Sequence, residues 1–331
     1  MLLSKLPRRD YTHAQTPIEK LDHLSRELGG PTIYMKRDDL LGLTGGGNKT
    51  RKLEFLIADA MAQGADTIVT CGALQSNNCR LTLAAAVKEG LKCRLVLREG
   101  PTTSYDPSAN GNNLLYNLLG VEHIKIVKSD ANIIEEMHAL GEELTASGRK
   151  PYLIPTGGSN ELGTVGYVAC AQEILQQTVD SGLVVDHVIV ASASGGTQAG
   201  LIVGFHGNSA PIKVTGIAVS RSKDLQVPLV YNLVQKTADL LDISCDIPVT
   251  SVQCNDDYLG EGYMIPTESM VGAVQLVART EGILLDSVYS GKGMAGLIDL
   301  IRKGTFKKDD NVLFIHTGGS LSLYANHTLF H

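Results

Sequence analysis

The sequence predicts an α/β fold of mostly parallel sheets covered by helices on both faces. Three observations carry this. Short, largely apolar runs recur along the chain, as expected of strands with both faces covered. Helical stretches separate them, the rhythm of βαβ units. Glycine clusters, Gly45-Gly46-Gly47, Gly157-Gly158, Gly195-Gly196 and Gly318-Gly319, lie mostly where such a run ends. Glycine there lets the backbone turn sharply or approach a ligand closely.

The strands read in order as Thr67–Cys71, Arg94–Leu97, His123–Val127, Tyr152–Ile154, His187–Ala191, Lys213–Val219 and Val312–Ile315. In the first helix, Leu53, Leu56, Ile57, Ala60 and Met61 follow the stripe of one helix face. Further helices fall near Asn78–Glu89, Asn132–Ala146, Thr164–Thr178, Thr197–Gly207, Asp224–Leu241, Thr267–Glu281 and Lys292–Arg302. In such sheets, ligands bind beyond the carboxyl ends of the strands, and the glycine clusters sit there. No repeat, low-complexity segment or Pro/Ser-rich linker divides the chain.

Composition excludes several classes. The 331 residues allow one large domain or two smaller ones that share a cleft. With 29 Lys+Arg against 35 Asp+Glu the formal charge is −6, which argues against a nucleic-acid binder. No apolar run approaches the roughly 20 residues of a membrane span. The start, MLLSKLPRRDYTH, lacks the apolar core of a signal peptide. Cys71, Cys79, Cys93, Cys170, Cys245 and Cys254 form no C-x-x-C pair and read as small hydrophobes of a reducing cytoplasm. The nine histidines show no ligand spacing, so no metal site is expected.

Five segments can carry chemistry, and each has a plainer reading. In TGGGNKTRKLEF, Lys49 follows a glycine loop and opens a helix. A lysine near that cationic end can have a lowered pKa and serve as an amine nucleophile, or can simply be a surface residue. GALQSNNCR places Ser76, Asn77 and Asn78 at a helix start, suited to a carboxylate or to ordinary capping. ASASGGTQAG lacks G-x-G-x-x-G. It fits a compact phosphate nest of Ser194, Gly195, Gly196 and Thr197, or a tight turn. Tyr263 and Tyr289 sit near glycines and small residues, as site aromatics or as core. FIHTGG puts Thr317 at a strand end, in a site or in a plain turn.

Together these segments resemble one family. GGNK-T-RKLEF, QSN, GGS-N-x-L-G-x-x-GY (Gly157–Tyr167), SGGTQAG, GY-x-x-P-x-E, VY-S-GK-x-MAGL and FIHTGG occur in its order, from about Pro17 to Ser320. The family is the pyridoxal-phosphate-dependent group of D-cysteine desulfhydrase, L-cysteate sulfo-lyase and 1-aminocyclopropane-1-carboxylate deaminase. The resemblance implies a tryptophan-synthase-β-like fold (fold type II), with two open, twisted, mostly parallel sheets flanked by helices. It also implies a homodimer and a cytoplasmic enzyme acting on a small amino acid. A small inserted domain at 49–158 and a large domain of 1–48 and 159–331 are expected.

Carried over by position, Lys49 is the lysine that binds pyridoxal phosphate covalently. Asn77 lies beside the cofactor ring. Ser76, with Asn78 and nearby N–H groups, holds the substrate carboxylate and can take part in proton transfer. Gly195, Gly196 and Thr197, with Ser194, cradle the phosphate. Thr317 joins the cofactor site. Tyr263 and Tyr289 are the two active-site tyrosines, and the freed Lys49 amine or a hydroxyl, of Ser76 or Tyr289, removes the Cα proton. Ser290 stands where the deaminase branch has a Glu near the pyridine nitrogen. A hydroxyl suits a neutral pyridine and β-elimination better than opening of a cyclopropane ring. Asn78, Cys79 and Ser287 also depart from the family pattern.

The implied reaction is β-elimination of a sulfur group from a 3-substituted alanine, giving pyruvate and ammonia. Sulfide from D-cysteine and sulfite from L-cysteate stand level. A sulfonate needs a cation or several N–H donors, for which Lys52, Arg80 and Lys292 are candidates. The cyclopropane deaminase is the alternative within the family. A non-catalytic pyridoxal-phosphate or metabolite binder is the alternative from another class. A nicotinamide oxidoreductase lacks its fingerprint here.

Overall fold

The computed structural model describes residues 3–101, 103–243 and 246–330, so Cys245 lies outside the described residues. Its strands are β1 (Ile18–Lys20), β2 (Thr32–Lys36), β3 (Thr67–Ala73), β4 (Lys92–Arg98), β5 (His123–Val127), β6 (Pro151–Ile154), β7 (His187–Ser192), β8 (Lys213–Ala218), β9 (Gln253–Asn255) and β10 (Asn311–Ile315). Its helices are α1 (Asp22–Leu28), α2 (Lys49–Ala62), α3 (Asn77–Lys88), α4 (Asn112–Leu118), α5 (Ile133–Ala146), α6 (Glu161–Ser181), α7 (Gly196–Gly207), α8 (Lys223–Leu240), α9 (Glu268–Glu281), α10 (Ser290–Arg302) and α11 (Ser322–Ala325).

Two sheets form. The larger runs β1-β2-β10-β7-β8-β9 and the smaller β5-β4-β3-β6. Among the described residues only the edge pair β1–β2 is antiparallel. The expected apolar strands are all present because helices cover both faces. β3, for example, is buried from Thr67 through Gly72. Six elements were not anticipated: β1, β2, β9, α1, α4 and α11. β1 and β9 are three-residue edge strands, too short for a period to show. β2 (TIYMK) ends in a lysine, yet Lys36 is wholly buried.

The larger sheet packs against α7, which is buried from Gly196 through Phe205. A helix apolar all round belongs inside. Helix α6 crosses α7 at close range. A Cβ placed on Gly200 would meet Thr164 O and the Tyr167 Cβ at 2.5 Å, so glycine is what permits the approach.

A buried charge network ties α2 to this core. Arg51 donates to both oxygens of Asp38 at 2.9 Å and to Glu173 at 2.7 and 3.0 Å. Lys36 donates to Glu173 at 2.5 Å and to Gln177 at 2.6 Å. The hydroxyls of Tyr167 and Thr16 donate to Asp38 at 2.6 and 2.7 Å. Burial alone would push the Asp38 carboxyl up. The charge and hydrogen bonds of Arg51, then Lys36, bring it below the usual carboxylate range. Glu173 is lowered in the same way, burial opposing and Arg51 and Lys36 prevailing.

Arg51→Met should therefore leave Asp38 buried without its partner and cost about 3–5 kcal/mol in urea unfolding. The sign of the pH effect follows from the depressed carboxyls. Their stabilisation is present above the unfolded pKa of about 4 and lost as pH falls through the lower folded values. The wild type should lose more stability than Arg51→Met between pH 5 and acid, a window set from those reference values to within about a unit.

Candidate active site

The carboxyl ends of the strands converge on one cavity of about 570 Å³, in the range of small-molecule sites. Its wall takes Gly72 and Ala73 from β3, Arg98 from β4 and Thr156 from beyond β6. Ala191 and Ser192 come from β7, Arg221 from beyond β8, and Thr317 from beyond β10. Both sheets thus contribute, as the strand-end rule predicts.

Lys49 opens α2 in this wall. Its amine makes no hydrogen bond or ion pair with the described residues and lies 5.2 Å from the Tyr289 ring centre. Desolvation lowers its pKa to about 8. Arg80 adds to the fall and Asp286 opposes it. The sequence reading credited the helix end, whereas burial is the leading cause.

Around Lys49 the expected residues gather in part. Ser76, Asn78, Ser194, Gly195, Thr197, Tyr263, Tyr289 and Thr317 line the same cavity. Ser76 caps α3 and accepts from the Cys79 N–H at 3.2 Å. Asn78 donates to Thr70 at 3.0 Å, while its Oδ1 is buried without a partner. The Tyr263 and Tyr289 hydroxyls hydrogen-bond to each other. Burial raises both phenols, Tyr289 well above its ordinary value, so both stay protonated at neutral pH.

Asn77, Gly196 and Ser290 lie outside this wall. The Asn77 Oδ1 accepts from Arg80 at 3.1 Å and from Asn112 at 2.9 Å. Asn77 and Ser287 belong to a second cavity, of about 380 Å³, which shares Ala73, Tyr263 and Tyr289 with the first. Ser290 is wholly buried. Its hydroxyl donates to Asp286 Oδ1 at 2.6 Å and accepts from the Asp286 N–H at 2.8 Å. Its one proton is committed, so it has none to donate to a neutral pyridine.

The α7 end is built for an anion. Gly195 has φ +84° and precedes the first turn of α7. A Cβ on Gly196 would lie 2.7 Å from Ser159 Oγ and 2.9 Å from Lys52 Nζ. Lys52 is buried and, among the described residues, donates only to Gly157 O at 3.0 Å and Ser159 Oγ at 2.9 Å. Desolvation, then the charge of Lys49, holds its pKa well below the ordinary value. A buried cation with neutral partners beside helical N–H groups lacks its counter-anion. A phosphate group fits that place.

Two corrections follow for the sulfonate candidates. Arg80 turns its Nη1 and Nη2 to Asn77, Asn112 and Gly46 O, while its Nε is buried without a partner. Lys292 donates to Leu259 O and Gly262 O. Neither lines the cavity. Lys52 points at the α7 end instead. Its signal was available, since i and i+3 share a helix face and Lys52 follows Lys49 by three. Asn48, Ser159, Arg98 and Arg221 were missed. Asn48 joins the two ends of the site, its Nδ2 donating to Thr197 Oγ1 at 2.9 Å and its N–H to Thr317 O at 3.0 Å.

The lowered pKa makes the neutral Lys49 amine abundant at a lower pH than for an exposed lysine. Competitive labelling with acetic anhydride, read on the Lys49 peptide, should give a midpoint near 8. A midpoint near 10.5, the reference value for lysine, would contradict this environment.

Comparisons with known proteins agree with this geometry. The chain is 44% identical over 327 residues to a D-cysteine desulfhydrase of Serratia proteamaculans (strain 568), covering 98% of this chain and 97% of that one. It is 45% identical over 327 residues to a D-cysteine desulfhydrase of Klebsiella pneumoniae (strain 342), covering 98% of each. A crystal structure of an ACC deaminase homologue superposes with a TM-score of 0.89 at 39% identity, over 99% of this chain and 96% of that one. The fold is accordingly the fold type II architecture. Residues 10–318 match the model for pyridoxal-phosphate dependent enzymes, and the chain belongs to that family and uses its cofactor.

Proposed function

We propose that the protein is a carbon–sulfur lyase that eliminates the sulfur substituent of a 3-substituted alanine, giving pyruvate and ammonia. The carrying observation is Lys49, an amine of lowered pKa set 5.2 Å from the Tyr289 ring in a cavity with a phosphate cradle. D-cysteine desulfuration is supported by the two relatives of that name. Release of sulfite from cysteate is the second reading, favoured by the cations of the cavity.

Pyridoxal phosphate supplies an aldehyde for amines and a sink for the electron pair left by Cα–H cleavage. Gly195, Gly196, Thr197, Ser194 and Lys52 would hold its phosphate, with Asn77, Ser290 and Thr317 around the ring. Ser76, Asn77 and Asn78 at the α3 start bind the substrate carboxylate, where helix N–H groups favour an anion. The freed Lys49 amine takes the Cα proton. Tyr263 and Tyr289, protonated and hydrogen-bonded, position the substrate and donate rather than abstract protons. With its O–H donated to Asp286 Oδ1, Ser290 has no proton to offer the cofactor ring.

The second sheet, within 49–158, is proposed as a unit that closes on 1–48 and 159–331 and excludes water. We also assign a cytoplasmic homodimer. The compartment is supported by the five described cysteines, all unpaired. The dimer is supported by the family resemblance.

Purified, cofactor-loaded protein should release pyruvate and ammonia from D-cysteine or cysteate, and no 2-oxobutyrate from the cyclopropane amino acid. Lys49→Ala should abolish both turnover and the visible absorbance of lysine-bound cofactor. Full turnover in that variant would refute the assignment. Lys52→Gln should weaken retention of pyridoxal phosphate by about tenfold or more, the worth of a hydrogen bond to a charged group. Its affinity for pyridoxal, which lacks the phosphate, should stay near wild type.

A further inference from the structure

Arg80 stands in the first turn of α3 and is wholly buried. Its acceptors are all neutral: Asn77 Oδ1 at 3.1 Å, Asn112 Oδ1 at 2.8 Å and Gly46 O at 2.8 Å. Its Nε has no partner, and no carboxylate among the described residues pairs with it. Burial lowers its pKa to about 10, which leaves the guanidinium charged at neutral pH. A buried cation held only by neutral dipoles is costly unless an anion comes near. A guanidinium can only donate. The atom of Asn77 that faces Arg80 is therefore its oxygen, and the same holds for Asn112. With its oxygen on Arg80, Asn112 turns its Nδ2 to Asn77 Oδ1 at 2.9 Å and to Gln75 O at 2.8 Å. Two donors thus hold Asn77 Oδ1 and fix the amide. Its Nδ2 faces the other way, with no acceptor among the described residues. It lies beside Gly319, where a Cβ would come within 2.9 Å of it. Gly319 has φ +101° and follows the cavity residue Thr317 by two. Asn77 itself stands between Ser76 and Asn78 of the cavity wall, so the donor is offered at the edge of the site.

We propose that Arg80 is a positioning residue: it fixes the Asn77 amide with Nδ2–H toward the phenolic oxygen of pyridoxal phosphate and lends its charge to that hydrogen bond. This rests on the reading that sets the cofactor ring beside Asn77. It adds what the ring meets there, an amide held from behind by a cation. Linked hydrogen bonds polarise one another, so Arg80 makes Asn77 Nδ2–H a stronger donor to an anionic oxygen. The phenolic oxygen is thereby kept as the anion, and the buried charge of Arg80 gains its counter-charge across one amide group.

The test reloads the full chain, freed of cofactor, with pyridoxal phosphate or with 3-deoxypyridoxal 5′-phosphate, which lacks the phenolic oxygen. The ratio of the affinity for pyridoxal phosphate to that for the analogue should fall about tenfold or more in Arg80→Met, the order expected of a buried charge acting across one amide. Affinity for the analogue itself should stay near wild type. Asn77→Ala should lose the same preference. Asn112→Asp, close to isosteric, gives Arg80 an acid partner and should lower the ratio as well, so it carries the test where Arg80→Met fails to fold. An unchanged ratio in Arg80→Met or Asn112→Asp overturns the proposal. An equal loss of affinity for both cofactors in Arg80→Met also overturns it and makes Arg80 scaffold alone. A ratio untouched by Asn77→Ala takes the phenolic oxygen away from Asn77 and overturns it too. No substrate enters these measurements. If the ratio falls while no substrate yields pyruvate, the positioning role stands and the lyase reading falls.

Discussion

The site depends on one buried set of charges. Arg51 and Lys36 face Asp38 and Glu173 in the interior between β2, α2 and α6. Two positive and two negative groups meet with short bonds, and hydroxyls of Thr16 and Tyr167 fill the remaining positions on Asp38. Such a set adds little net stability over a well-packed apolar one, yet breaking it is costly. Its effect here is geometric. Arg51 stands two residues from Lys49, so the network fixes the direction in which the Lys49 amine leaves the helix.

The cavity itself inverts that balance. The interior network is paired, whereas among the described residues the wall carries Lys49, Arg98 and Arg221 without a carboxylate, and Lys52 lies beside Gly196. Uncompensated charge destabilises a chain until its ligands arrive. The same groups attract anionic cofactor and substrate and hold them in a poorly solvated place where hydrogen bonds are strong. The tyrosine pair, kept protonated by burial, borders this cationic region without adding negative charge to it.

Much of this was legible in the chain itself. β3 and β7 showed as apolar runs because helices shield both their faces. Lys49, Ser76 and Gly195 showed because a strand end, a small-residue turn and a helix start are local features. β2 stayed hidden because Lys36, a charged residue by letter, is neutralised by Glu173, far away in sequence. Arg98 and Arg221 stayed hidden for a related reason. They come from the ends of strands in different sheets, and nothing in local spacing tells that two sheets aim at one place. Lys52 could have been read from its helical offset. Arg80 and Lys292 were plausible by letter, but their side chains turn to backbone carbonyls and asparagines outside the cavity wall.

The first turn of α2 carries four duties in four consecutive residues. Lys49 enters the cavity, Thr50 holds Gly42 O at 2.9 Å, Arg51 anchors the interior and Lys52 reaches the α7 end. Each residue advances about 100° around the axis. The turn therefore works by phase: inserting or deleting one residue ahead of it would rotate every one of these side chains into a neighbour's sector. Substitutions here cost single functions, but a change of length would cost all of them together. That makes this stretch a frame-locked hub, the place where the chain tolerates new letters better than a new count.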